Sequence, residues 1–445
     1  MGVAGPFTGE AGGRRGKLMV GVAALCRRLS PNGSQSHPVS LWHKRDFVLL
    51  WFGQTVSILG SRMSELAIPL LVLAVTHSPV KAGVAGFVGG LPRVIFQLPA
   101  GAWVDRWDRR RVMIVCDLGR LMVIISIPVM GVTLGISYTQ LLISAFAHTT
   151  LSVFFVLAYR AALIHIVDSK ARSAAIALNQ ANIQGAMMVG APVGGLLFGL
   201  SRTLPFIADG ASYLISLITL IRLRTRLQAP PLVRVGRLHH DIAAGIRLVW
   251  NDRCLRALSL VSAALSLLIS GVPLVVIVLA THRGASPSLI GMVLGIGGIG
   301  GLLGAVLAPY LVRKVPAGNL IVTCLWLETA LILAIGLVDS AVALGPILAG
   351  LTVLSVVLIV VAQTRRARLV PNQLLGRVYS ISMLISTGTA PLGSLLAGWL
   401  LFLVGPIGAA IILGASLGVV AVAASNSHTV RHADLPQPEE PHSTH

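Results

Sequence analysis

The sequence predicts an all-α membrane protein with twelve transmembrane helices in two pseudo-symmetric six-helix bundles. Three observations carry this. Of its 445 residues 55% are hydrophobic and 11% charged, with a mean hydropathy of +0.84; a soluble domain averages about 25% charge. Apolar stretches near the roughly 20 residues needed to cross ~30 Å of hydrocarbon recur along the chain. Lysine and arginine collect in alternate loops, as they do in polytopic membrane proteins.

The first six stretches lie near 47–75, 80–103, 112–134, 138–158, 174–200 and 205–221. They make an N-terminal bundle over 47–221, with polar turns such as "GISYTQ" (135–140) between them. A basic cytoplasmic linker follows at 222–256. The second six lie near 257–280, 287–312, 318–338, 341–363, 377–402 and 405–424, a C-terminal bundle over 257–424. Residues 1–46 hold an apolar patch of nine residues, "LMVGVAALC", too short to span. They are expected to form a disordered cytoplasmic extension, and 425–445 a disordered cytoplasmic tail.

Charge sets the orientation. Of the 35 Lys and Arg, 29 fall on the side of both termini and three in the opposite loops (Lys81, Arg202, Arg283); three more lie inside spans. Both termini are therefore expected in the cytoplasm, with the chain multi-pass in the inner or plasma membrane. The net charge of +20 is spread over short loops and forms no single basic face, which argues against a nucleic-acid partner. Cys26, Cys116, Cys254 and Cys324 share no ligand spacing and read as buried fillers, with no metal site. There is no GxxxxGK[ST] run for ATP, so no cofactor is expected, and the proton gradient is the expected energy source. Lipid, protons and a small-molecule substrate are the expected partners. One chain supplies both halves, so a monomer is expected.

The halves echo each other. "APVGGLLFGL" (191–200) and "APLGSLLAGW" (390–399) share six of ten residues at an offset of 199. That is the pattern of two parallel repeats facing a central cavity.

The charge is densest in "VDRWDRRR" (104–111), where six of eight residues are Asp or Arg. With the preceding "GAW" it resembles the signature loop of the major facilitator superfamily: Gly101, Asp105, Arg106, then Arg109, Arg110 and Arg111, with Asp108 where glycine is frequent. "GQTVSILGSRMSELAIPLLVLAVTHSPVKAG" (53–83), "PFIADGASYLIS" (205–216), "DIAAGIRLVWNDRCLRAL" (241–258), "LVPNQLLGRVYS" (369–380) and "GTAPLGSLLAGWL" (388–400) resemble the drug and siderophore branch, similar to enterobactin exporters and macrolide-efflux proteins. The resemblance implies export by alternating access. It also implies a cytoplasmic gate in which Asp105 meets the start of the eleventh span, at Gly376 and Arg377, where a helix N-terminus favours negative charge. Gly101 would let a neighbouring helix approach closely, the arginines would pair with Asp105, Asp108 or Asp117, and the Asp117–Arg120 pair would serve the same gate. Two features depart from the branch: Ser61 stands where an aspartate is common, and an antiporter pattern of the fifth span reads "GAPVGG" (190–195).

Charges at mid-membrane are costly and need a partner or a wet cavity. Arg62 and Glu65 share one helical face, either as a proton-coupling pair or as a self-neutralising structural one. Glu328 stands alone in "CLWLETALIL", a candidate proton carrier or an interhelical hydrogen bonder. Arg93 can snorkel or attract an anion. His148 can relay protons or simply pack, and Asp209 is either a helix-end residue or part of the site. Asn182, with Asn179 and Gln184, can line a polar cavity or join helices, and Trp326 and Phe87 are possible wall residues. The reading is thus a proton-coupled exporter of amphipathic small molecules (drugs, siderophores or secondary metabolites). The alternatives are a metabolite importer or uniporter of the same fold, or a non-transport membrane enzyme.

Overall fold

A computed structural model describes residues 41, 44–168, 171–225, 246–370 and 372–431, without the side chains of 98, 102, 173, 372–377, 430 and 431. The expectations for 1–40, for most of the linker (226–245) and for 432–445, Cys26 among them, lie outside the described residues.

Several helix ends have a local cause. α1 (Arg45–Thr76) ends at His77, whose left-handed backbone (φ 51°) stops it. Ser78 caps α2 (Pro79–Val104) by accepting from the Lys81 N–H. Asp108 caps α3 (Arg109–Thr133) through the Arg110 and Arg111 N–H groups, and Ser137 caps α4 (Tyr138–Ile166). After α5 (Arg172–Leu200) and α6 (Leu204–Ile221), Asp252 caps α7 (Arg253–Ser270), which passes at Gly271 into α8 (Val272–His282). Ser286 caps α9 (Pro287–Lys314); α10 (Ala317–Leu337) and α11 (Leu344–Leu369) follow. α12 (Asn372–Asn426) is broken at Gly405 (φ 70°), just before Pro406, and a single turn, α13 (His428–Arg431), comes after it. Side-chain oxygens at these caps satisfy N–H groups that the first helical turn leaves without partners.

Among the described residues ten helical stretches are long and apolar enough to cross a membrane, with α7 and α8 counted together. Two features separate this number from twelve: α2, 26 residues long, is not among the ten, and the last stretch, Val378–Asn426, contains the Gly405 break. Large apolar side chains stand fully outward around the bundle, Val132, Leu134 and Leu337 each at 80% or more. Such a surface suits lipid as the solvent.

The halves meet chiefly through two antiparallel pairs, α5 with α9 and α2 with α12. Both pairs are tight at one end. A methyl group added at Gly195 would lie 2.9 Å from the Gly291 Cα, and one at Gly83 would lie 2.8 Å from the Gly398 Cα. The echoed segments make these contacts: Pro192 faces Gly295, and Pro391 faces Gly90. Towards the other end of the α2–α12 pair the contacts thin among the described residues. Gly388 has only Val94 near it, at 3.9 Å, and Gly101 has nothing within 4 Å.

This corrects two expectations. Gly101 sits at no close helix approach in this structure: a methyl group there would meet nothing within 4 Å. Arg365 and Arg366, assigned by sequence to a loop, lie inside α11, which runs to Leu369, and are 6% and 7% exposed.

Candidate functional site

The charged residues of the first half fall into two linked clusters. In the first, Arg62 Nη1 donates to Glu65 Oε2 at 2.5 Å, and Arg93 of α2 approaches the other Glu65 oxygen at 3.7 Å. Gly190 of α5 makes room for this: a methyl group there would press against the Arg62 side chain. Arg93 and Glu65 keep side-chain exposures of 61% and 45%. Three charges from two helices converging in mid-span would be prohibitive against lipid, so their exposed face belongs to a wet space between the helices.

The second cluster is sealed. Asp117 and Arg120 form an ion pair one turn apart on α3, with side-chain exposures of 0% and 5%. Ser216 of α6 donates to the free Asp117 oxygen at 2.7 Å. The Arg120 guanidinium lies between the Phe155 and Tyr213 rings, 4.0 and 4.6 Å from their centroids. Tyr213 joins the clusters, its hydroxyl within hydrogen-bond reach of His148 Nε2 (2.6 Å) and of Ser61 (2.8 Å), next to Arg62. A sequence reading had no reason to select Tyr213. The available signal was that a mid-span tyrosine hydroxyl needs a partner when buried.

Asp209 is fully buried on α6. One oxygen accepts from Ser212 at 3.3 Å. It packs against Gly60 of α1, where a methyl group would come within 2.7 Å of Oδ1, so it belongs to the bundle interior and not to a helix end. Asn182 is 8% exposed on α5 with its amide nitrogen unpartnered. Glu328 lies in the other half, away from these clusters. It is fully buried, accepts from Ser355 of α11 at 2.8 Å, and leaves one oxygen unpaired. Trp326 donates to Ser425 of α12 at 3.2 Å.

At the arginine-rich turn the structure redistributes the roles. Asp105 and Arg106 are exposed, and Asp105 makes no side-chain pair among the described residues. Asp108 is occupied as the α3 cap, with Arg111 at 3.9 Å. Arg110 donates to the carbonyls of Leu220 (3.1 Å) and Ile221 (2.6 Å), closing the C-terminus of α6, where a cation also suits the helix dipole. Arg109 makes a contact of its own. Trp103 and Trp107 stack with each other and on Phe154 of α4. Asp117 and Arg120 serve the inner packing of the first half and do not reach this turn. Gly376 and Arg377 belong to the first turns of α12, and a pairing of their side chains with Asp105 lies outside the described residues.

Two six-helix halves touching through paired antiparallel helices that are close-packed at one end, with charges gathered at mid-span in the first half, define a membrane transporter of the major facilitator fold. The chain belongs to the transmembrane secretion effector family, whose model matches residues 36–442. It is 26% identical over 375 residues to the multidrug efflux pump Tap of Mycolicibacterium fortuitum, covering 79% of this chain and 88% of that protein. A shorter match, 36% over 75 residues, links it to macrolide efflux protein A of Streptococcus pyogenes (17% of this chain, 18% of that one). The fold is similar to that of a bacterial homolog of the human lysosomal transporter Spinster in an inward-facing, unoccupied conformation. The TM-score is 0.65 at 15% identity, over 88% of this chain and 97% of that one.

Proposed function

We propose that this transporter exports amphipathic small molecules in exchange for protons by alternating access, with Glu65 as the group that proton and substrate contest. The carrying observation is the Arg62–Glu65–Arg93 cluster, three charges from two helices brought together at mid-span with Arg93 and Glu65 well exposed. An ionised Glu65 is held by two arginines. A proton, or the cationic end of a substrate, neutralises it and releases them, and because only one can do so at a time their movements are coupled. The efflux activity of the curated relatives supports the outward direction.

On this reading both termini are cytoplasmic, so the tight α2–α12 and α5–α9 ends face outward and the thinner end of α2–α12 faces the cytoplasm. The chain is then captured open to the inside. Asp105 fastens to the start of α12 when the inner mouth closes. The test is drug-dependent proton movement in everted vesicles. Glu65→Gln abolishes it while leaving expression and thermal unfolding near wild type. Coupling that persists unchanged in Glu65→Gln removes this carboxylate from the mechanism.

A further inference from the structure

The second half buries a cation that the transport reading does not use. Arg366, near the end of α11, is 7% exposed. Its Nη2 donates to the Ser262 hydroxyl of α7 at 3.2 Å, while its Nε has no acceptor. Ser262 gives its own proton to the Leu258 carbonyl at 2.7 Å and so meets Arg366 only as an acceptor. The described carboxylates of this half are Asp252, Glu328 and Asp339. Asp252 caps the start of α7, Glu328 accepts from Ser355, and Asp339 precedes the opposite end of α11. Among the described residues no carboxylate forms an ion pair with Arg366. A guanidinium taken out of water with one neutral acceptor is strongly unfavourable, and an anion is what would complete it.

Neighbouring donors open the site to the outside. Gln363 lies one turn before Arg366 on the same face of α11; it is exposed, and its Nε2 donates to the Tyr379 hydroxyl of α12 at 3.5 Å. That bond is at the limit of hydrogen-bond length, so a better acceptor can replace it. Tyr379 is exposed and within electrostatic reach of Arg366. The guanidinium Nε, the Gln363 amide and the Tyr379 hydroxyl are thus three donors gathered at one place, the set an oxyanion accepts from. The same faces continue as apolar surface. Ile359, one turn before Gln363 on α11, and Met383, one turn after Tyr379 on α12, are both exposed. Because the two helices run in opposite directions, both residues lie on the membrane side of the polar group.

We propose that Arg366 receives an oxyanion of the transported molecule, such as a carboxylate, whose apolar body lies against Ile359 and Met383. Ser262 fixes the guanidinium from α7, and Gln363 and Tyr379 turn from each other to the bound oxygens. The inference rests on the export reading for the amphipathic substrate and adds an acid group to it. Among molecules of equal size and apolar surface, those carrying an acid are favoured over their esters. The site belongs to the second half and is separate from the Arg62–Glu65–Arg93 cluster.

The test uses the purified full-length protein in detergent and two fluorescent probes, dansyl-phenylalanine and its methyl ester, which differ in one carboxylate. Wild type should bind the acid more tightly than the ester. Arg366→Gln should lose on the order of ten- to hundredfold for the acid, the weight of a charge-assisted hydrogen bond, and nothing for the ester. Arg313→Gln, an exposed cation at the end of α9, should change neither. The thermal unfolding midpoint of Arg366→Gln should stay level or rise, because an uncompensated buried charge is removed. No preference for the acid in wild type, or an equal change for both probes in Arg366→Gln, overturns the proposal. A lowered midpoint with acid binding intact does so too, and marks Arg366 as a structural bridge to Ser262. Displacement of the acid by phosphatidylglycerol but not by phosphatidylcholine assigns the site to a lipid headgroup and overturns the substrate assignment. No proton gradient enters these measurements, so their outcome is separate from that of Glu65→Gln.

Discussion

The two half-bundles share a helix pattern but not a chemistry. In the first half, Arg62, Glu65, Arg93, Asp117, Arg120, His148 and Asp209 meet across α1, α2, α3, α4 and α6, joined through Tyr213 and Ser216. In the second half the mid-membrane charge is Glu328, one carboxylate with one hydroxyl partner. That half instead uses backbone proximity. α9 lays Gly291, Gly295 and Gly298 against α5, and Gly300 and Gly304 against α11. A duplicated architecture can therefore divide its labour, with one copy bearing charge and the other supplying a smooth surface for it to move against.

Mutation can break this comparison, beginning with the largest effect. Asp117→Ala strands Arg120 in a dry pocket, and losing one partner of a buried pair costs about 3–5 kcal/mol. A large fall in the thermal unfolding midpoint in detergent is expected, with much of it recovered in an Asp117→Leu/Arg120→Met double variant. An unchanged midpoint in Asp117→Ala would mean the pair is not buried. Next, Gly195→Val drives a branched side chain into the backbone of α9, where overpacking costs about 1–3 kcal/mol. Cysteine cross-linking between α5 and α9 near this position should fall sharply. Persistent cross-linking would show that the tight end tolerates bulk and is not the closed end.

Smaller effects sharpen the contrast. Tyr213→Phe removes the hydroxyl shared by His148 and Ser61, and a loss of about 1–2 kcal/mol is expected. It should be accompanied by a change in the pH dependence of transport if the second cluster communicates with Glu65. A stability loss with an unaltered pH profile restricts Tyr213 to packing. Glu328→Gln keeps an acceptor for Ser355 and should shift stability by under about 1 kcal/mol, with proton movement intact. Loss of coupling in Glu328→Gln would place the proton pathway in the second half and reverse the comparison.

Much of this was legible before any coordinates. Composition and the spacing of apolar stretches specify helices in lipid, because hydrocarbon admits only helices and closed barrels and runs of about 20 apolar residues fit helices. The 191–200 and 390–399 echo marked the two repeats, although only the structure shows that the halves meet through these segments, and the three-residue spacings of Arg62–Glu65 and Asp117–Arg120 already place each pair on one helical face. Helix ends were less visible. Arg365 and Arg366 read as loop residues, because a basic run resembles a turn until a neighbouring helix is seen to cover it.

The sequence alone determined that this chain is a helical membrane protein with an internal repeat and a charged first half, since those properties follow from local composition and period. Tertiary structure decided which charges share a space: that Arg93 joins Arg62 and Glu65 from another helix, that Asp209 is sealed against Gly60, and that Asp108 and Arg110 are engaged at helix ends. Such assignments depend on distances between residues far apart in the chain. Helical periodicity sets a side chain's direction on its own helix but carries no record of which helix lies opposite.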